Sequence, residues 1–332
     1  MKLGSDNTDN EYMPPKLAVL IPCYNEEETI SKVVADFKTA LPDATVYVYD
    51  NNSTDRSAEL ARQAGGVVRE ERLQGKGNVV RRMFADVEAD VYVLVDGDDT
   101  YDVTIAPQMV QCLRDERLDL VNAARQAEMR EAYRSGHRLG NAMFTHIVAM
   151  LFGRQFNDLL SGYRVLSRRF VKSFPAQSSG FEIETELTIH ALELRMPVRE
   201  IVSTYKERPK GSESKLHTVR DGVRILWAIL VLVKVGRPLL FFSMICVVLS
   251  TAAVILGIPI ITTYMETGLV PRFPTAILAT GITILAFLSL ACGLVLDTVT
   301  RGRVEMKRLQ YLGIPLGRTE PPPHEASRSP SR

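Results

Sequence analysis

The sequence predicts an α/β domain built on a mostly parallel sheet, followed by helices that lie on a membrane and then cross it. Three observations carry this. Short apolar, β-branched runs alternate with helical patterns from Lys16 onward. One such run, Val91 to Val95, ends abruptly in Asp96-Gly97-Asp98-Asp99. From Pro238 to Met265, and again from Phe273 to Leu296, there is no charged residue at all.

Residues 1–15 read as a flexible leader. Lys16 to Pro22 reads as a strand running into Cys23-Tyr24-Asn25-Glu26, where acidic residues suit the start of a helix that extends to about Ala40. Ala44 to Tyr49 is the next strand. It ends at Asp50-Asn51-Asn52-Ser53, a polar turn before a helix from Ser57. Val67 and Val68 mark a short strand. Gly75-Lys76-Gly77 forms a loop with one cation, and a helix from Val79 to about Val87 leads to the aspartate strand. Strands and helices at this spacing make a parallel sheet with right-handed crossovers. The strands then end along one edge, where open α/β sheets hold their ligands.

Asp96 and Asp98 are two residues apart, so an extended backbone points both carboxylates the same way. Two such groups side by side call for a cation, and oxygen ligands suit Mg²⁺ or Mn²⁺ completed by water and phosphates. Neither a dinucleotide-binding glycine motif nor a P-loop follows any strand.

The 40 Lys and Arg nearly balance the 39 Asp and Glu, so no global field argues for nucleic acid. The four cysteines are scattered and fit neither a disulfide framework nor a zinc site. The polar, acidic start does not read as a signal peptide. The two uncharged runs each exceed the ~20 residues that span a bilayer. Lys234 and Arg237 precede the first, and Arg301, Arg303, Lys307 and Arg308 follow the second. The positive-inside rule therefore places both termini and the α/β domain in the cytoplasm, at the inner (plasma) membrane. Leu139 to Phe152 and Val219 to Val235 look amphipathic, and Trp227 suits head-group depth. The expected division is a leader at 1–15, the α/β domain at 16–215, an interfacial helix at 216–236, a two-helix hairpin at 237–300 and a tail at 301–332 that is partly disordered. Gly281 and Gly293 would permit homo-oligomers through the membrane helices.

The stretches PCYNEEETI, YDNNSTDRSAELA, GKGNVVRRMF, LVDGDDTYD, NDLLSGYRVLSRRF, SGFEIETELTIHALE and YKERPKGSESKL, in this order, resemble glycosyltransferase family 2. With the two C-terminal spans, the chain resembles its polyprenyl-phosphate glycosyltransferases. Two positions depart from the family's usual pattern: Asp50-Asn51-Asn52-Ser53 stands for Asp-Asp-Gly-Ser, and Asp96-Gly97-Asp98 for Asp-Ala-Asp.

The resemblance implies a GT-A fold, a Rossmann-like mostly parallel sheet. It implies inverting transfer of one sugar from a UDP- or GDP-linked donor to a polyprenyl phosphate. By the same resemblance, Pro22, Tyr24, Asn25, Glu26, Asp50, Asn52, Lys76 and Asp96 would line the nucleotide-sugar site. Asp96 and Asp98 would hold Mg²⁺ or Mn²⁺. Asp158 would be the catalytic base, or would orient the acceptor, and Arg125, Arg138, Arg208 and Lys215 would bind the acceptor phosphate. Glu182 and Glu184 would either help hold the sugar or cap a helix. A processive polysaccharide synthase is a competing reading. It is disfavoured by the single Trp, which lies in no Q-x-x-R-W motif, and by only two spans. A catalytically silent nucleotide-sugar-binding subunit is a third, against which stand the retained Asp96, Asp98 and Asp158.

Overall fold

A computed structural model describes residues 15–126, 158–180, 182–205 and 233–315. The expectations for Arg138, Arg208, Lys215, Trp227 and most of the interfacial segments lie outside these residues. The described residues divide into two compact units. One falls within 1–130, 155–213 and 310–332, the other within 131–154 and 214–309.

The first unit follows the anticipated alternation. Its elements are β1 (Leu17–Cys23), α1 (Ile30–Ala40), β2 (Ala44–Asp50), α2 (Ser57–Gln63), β3 (Val67–Glu70), α3 (Lys76–Asp86) and β4 (Val91–Leu94). They continue with α4 (Ala106–Asp115), β5 (Leu120–Gln126), β6 (Arg164–Ser167), α5 (Arg168–Ser173), α6 (Ile183–Leu194) and β7 (Val198–Thr204). α1 buries Ile30, Val33, Val34 and Phe37, the i, i+3, i+4, i+7 stripe of a helix laid on a sheet. β4 is buried at every position, as a strand covered on both faces must be.

The sheet has seven strands in the order β3-β2-β1-β4-β6-β5-β7. β1 to β4 pair in parallel, and so do β5 and β7. β6 runs antiparallel to both β4 and β5. This reversal positions the site. Arg164 at the start of β6 pairs with Leu94 at the end of β4, so the turn before β6 arrives at the edge where β4 ends. β5 ends along that edge too, and Ala123 N donates to Tyr163 O at 3.0 Å.

The second unit contains α7 (Pro238–Thr267) and most of α8 (Phe273–Gly313), and the apolar windows of these helices have mean hydropathy 2.7 and 2.2. α7, at 30 residues, is about 45 Å long, enough to cross the ~30 Å hydrocarbon core. α8, at 41 residues, extends well beyond it, and its charged residues begin at Asp297. The helices approach closely where Gly293 meets Phe242: a Cβ at 293 would collide with the Phe242 Cβ. Ser289 Oγ donates to Phe242 O at 3.1 Å one turn away. Gly293 therefore serves packing within the chain, whereas a Cβ at Gly281 would meet nothing within 4 Å among the described residues.

Gly293→Leu is expected to destabilise the detergent-solubilised protein by about 1–3 kcal/mol, the usual cost of overpacking. Gly281→Leu should leave it within about 0.5 kcal/mol, as surface changes do. Chemical unfolding in micelles measures both, and equal effects would show that Gly293 is not the point of closest approach.

Candidate active site

The site begins at the carboxyl end of β4. Lys76 Nζ lies 2.5 Å from Asp96 Oδ1 and 2.6 Å from Glu184 Oε1, with the lysine side chain only 9% exposed. The glycines around Lys76 explain how it gets there. Gly75 has φ 130°, and Gly77 N donates to Ser179 O at 3.1 Å. A Cβ on Gly75 would strike the Ser179 carbonyl, and one on Gly77 the Ser178 carbonyl. The loop lies flat on residues 178–179, and α3 starts at Lys76, three residues earlier than the apolar pattern alone predicts. Gly162 presses in from the turn before β6, where a Cβ would land on the Asp96 carboxylate.

Asp98 is buried beside this group and accepts from Thr100 Oγ1 at 2.6 Å and from Thr100 N at 3.3 Å. Burial pulls the Lys76 ammonium down, but Asp96 and Glu184 outweigh it and lift it above its ordinary value. Burial raises the Asp96 carboxyl, and the like charges of Glu184 and Asp98 add to this against the pull of Lys76. The ammonium is thus paired to Asp96 and Glu184, and the charge of Asp98 acts on Asp96 from the side. Among the described residues, no three His, Cys, Asp or Glu side chains gather as a ready metal cage. Glu184 lies in the first turn of α6 and spends its carboxylate on Lys76, while the Glu182 side chain makes no capping bond.

The β2 end supplies a second region. Asp50 Oδ2 accepts from Ser53 N at 3.2 Å, while Asp50 Oδ1 is buried with no hydrogen-bond partner among the described residues. Asn51 is an amide staple. Its Nδ2 donates to Glu71 O at 2.8 Å and Leu73 O at 2.9 Å, and its Oδ1 accepts from Gly75 N at 2.7 Å. Asn52, at φ 65°, donates to Arg72 O and Gln74 Oε1, each at 3.0 Å. Together the two amides fix the loop that delivers Lys76. A carboxylate at 51 would face two carbonyls instead, so the departure from the usual acidic residue has a physical reason.

At the β1 end, Asn25 adopts φ 54° and accepts from Thr54 N at 2.8 Å, and Glu26 N donates to Ser57 Oγ at 2.7 Å. These contacts knit the β1 and β2 ends together. Pro22 is half-buried and Tyr24 is 40% exposed on the rim.

Asp158 opens the turn before β6. Arg125, near the end of β5, grips it with two parallel bonds, Nε to Oδ2 at 2.7 Å and Nη2 to Oδ1 at 2.9 Å. The backbone N–H groups of Arg125 and Leu160 also donate to the carboxylate, each at 3.2 Å. Burial alone would raise the Asp158 carboxyl, but these donors hold it below the usual carboxylate range. The Arg125 guanidinium also lies 5.5 Å from the centre of the Tyr205 ring. The turn itself is braced by Arg164, one of the most buried side chains in the protein. Its Nε and Nη2 donate to Ser161 O and Leu159 O, and Tyr101 Oη accepts from Gly162 N at 2.7 Å. Asn51, Arg164 and the Lys76–Glu184 pairing were not evident in sequence. An asparagine in a turn and an arginine in a strand carry no local mark of their partners.

The model for glycosyl transferase family 2 matches residues 18–174. The chain is 36% identical over 232 residues to the glycosyltransferase AglJ of Haloferax volcanii, covering 69% of this chain and 76% of that one. The chain belongs to glycosyl transferase family 2. This glycosyltransferase is also 29% identical to a dolichyl-phosphate hexose transferase of the same organism, over 65% of its own length and 92% of the relative's. The glucosyl-3-phosphoglycerate synthase of Mycobacterium tuberculosis, solved with Mn²⁺ and UDP-glucose, superposes with a TM-score of 0.52 at 22% identity. That match covers 67% of this chain and 79% of the other, and shows the shared GT-A fold.

Asn51→Asp should destabilise the catalytic unit by about 1–3 kcal/mol, the cost of leaving buried acceptors unpaired. Urea unfolding and calorimetric binding of UDP and GDP test this, and an unchanged midpoint with unchanged affinity would remove the staple's role.

Proposed function

We propose that this glycosyltransferase moves one hexose, with inversion, from a UDP- or GDP-linked donor to a polyprenyl phosphate at a membrane surface. The observation that carries the reading is the pairing of two charge clusters by one short turn. Residues 158–163 begin at the Asp158–Arg125 couple and press Gly162 against Asp96. A carboxylate cluster and a fixed guanidinium thus stand at the two ends of one turn. The relatives named for dolichyl-phosphate hexose transfer and the two helices of membrane-spanning length support the same reading.

Asp96 and Asp98 offer oxygen donors only, which suits a hard divalent cation, Mg²⁺ or Mn²⁺, shared with substrate phosphates. Asp96 and Asp98 would hold it, and when bound it supplies charge that stabilises the departing diphosphate. Lys76 would follow that diphosphate, exchanging a carboxylate for a phosphate oxygen. Asp50 Oδ1, buried and unpartnered, would accept an N–H of the base, which both uracil and guanine offer. Tyr24 would lie against the base on the rim, and Pro22, Asn25, Glu26 and Asn52 would shape the pocket floor. The helix ends rich in Lys and Arg support a cytoplasmic catalytic unit.

The acceptor is a phosphate monoester whose second pKa is about 6, so it is mostly dianionic at neutral pH. Its oxygen forms the new bond to the anomeric carbon as the bond from that carbon to the diphosphate oxygen breaks. The lipid becomes a monoanionic diester, the nucleotide leaves with one more negative charge, and no proton has to move. Asp158, ionised and engaged by Arg125, suits orientation of that cation toward the acceptor phosphate. Arg138, Arg208 and Lys215 remain further candidates for the same phosphate.

Incubation with labelled UDP- and GDP-sugars and polyprenyl phosphate should move label into a butanol-extractable, acid-labile lipid. Long polymer, or no transfer with any donor, would overturn the reading. The pKa of Asp158 is depressed, so it stays ionised from pH 5 to 9 and protonates only below the ordinary carboxylate range. The wild-type acid limb should therefore follow the acceptor phosphate near pH 6. Asp158→Asn should stay slow across this range, and full recovery above about pH 7 would instead assign Asp158 as a simple base.

A further inference from the structure

Asp158 is held by its backbone as well as by its side chain. Asn122 on β5 and Glu200 on β7 face each other in register across the parallel pair. Asn122 Nδ2 donates to Asp158 O at 2.8 Å and to Glu200 Oε1 at 3.0 Å. Asp158 N donates to the same Glu200 Oε1 at 3.1 Å. Both main-chain polar groups of Asp158 are thereby tied to neighbouring strands. Asn122 is buried, and Arg125 lies three residues further along its strand. The element that presents the guanidinium also anchors the carboxylate's backbone.

We infer that Asn122 and Glu200 are positioning residues that aim the Asp158–Arg125 couple at the acceptor phosphate, an inference that rests on the transfer reading above. A bidentate pair requires the carboxylate and guanidinium planes to coincide. Turn residues hold such a plane only if their peptide units cannot rotate. Glu200 Oε1, accepting from two N–H groups on different segments, supplies that restraint. Small misplacements of a reacting pair cost far more in rate than in fold.

The test uses the full-length protein in detergent. Supporting-residue losses commonly run to about 10–100-fold, and Glu200→Ala should lower kcat/KM for polyprenyl phosphate by that order. Its dissociation constant for UDP or GDP should move less than about twofold, since the donor cluster does not involve Glu200. Glu200→Gln keeps Oε1 as an acceptor and should stay within about threefold of wild type. Asn122→Asp replaces the shared donor with an acceptor and should reproduce the Glu200→Ala pattern. In an Arg125→Ala background, Glu200→Ala should cause little additional loss, because both act through one couple. If Glu200→Ala does not fold, Glu200→Asp, one methylene short, takes its place with the same expectation.

Equal loss of donor and acceptor affinity, or additive loss with Arg125→Ala, would reduce Glu200 to a general structural role and overturn the inference. So would a Glu200→Ala enzyme that matches an active wild type, with the transfer reading left standing. A wild type that transfers no sugar would overturn the transfer reading and the inference with it.

Discussion

The catalytic unit depends on one buried ammonium. Asp96 and Glu184 could not both be carried into a largely buried edge as charges without a cation between them, because desolvation of each carries a large cost. Lys76 supplies that cation. The flat glycines on either side of it, the Ser178–Ser179 backbone beneath them and the absence of a side chain at Gly162 all serve to bring one lysine to that point. The result ties the end of β4 to the first turns of α3 and α6.

The second half of the site follows from the reversal of β6. An all-parallel sheet would carry the start of β6 to the opposite edge, away from Asp96. Running antiparallel, β6 brings the 158–163 turn to the edge where β4 and β5 end. The turn would be a weak support by itself. Arg164 beneath it, Tyr101 at Gly162 and the Asn122–Glu200 pair at Asp158 convert it into a rigid bracket. Arg164 is buried with its charge facing backbone carbonyls, and burial holds its pKa below the ordinary guanidinium value. A buried cation used in this way supports a loop and adds positive potential beneath the carboxylates.

The membrane-length unit shows the same economy of small residues. Gly293, which in sequence could equally have served contact between copies, is taken up by Phe242 of the same chain. Gly281 is left on an open helix face. Helix association in lipid rests on such close approach rather than on hydrophobic transfer, so the position of a glycine on the helix decides which neighbour it admits.

The amino-acid sequence by itself determined the element order from β1 to β4, the shared edge at which their loops end, and the acidic exit of β4. Each is written in local pattern: alternating apolar runs, capping residues, and carboxylates after a buried strand. It also determined the two long apolar spans, because their composition permits little else, but not that α8 would continue through charged residues to Gly313, past the expected boundary at 300. Tertiary structure alone decided that β6 is reversed, that Lys76 meets Glu184, which lies 108 residues away, and that Asn122 meets Glu200 across 78. Side-chain hydrogen bonds of that span leave no periodic trace. Asn51 reads as an ordinary turn residue and Glu200 as the polar member of an edge strand until folding brings their partners within 3 Å.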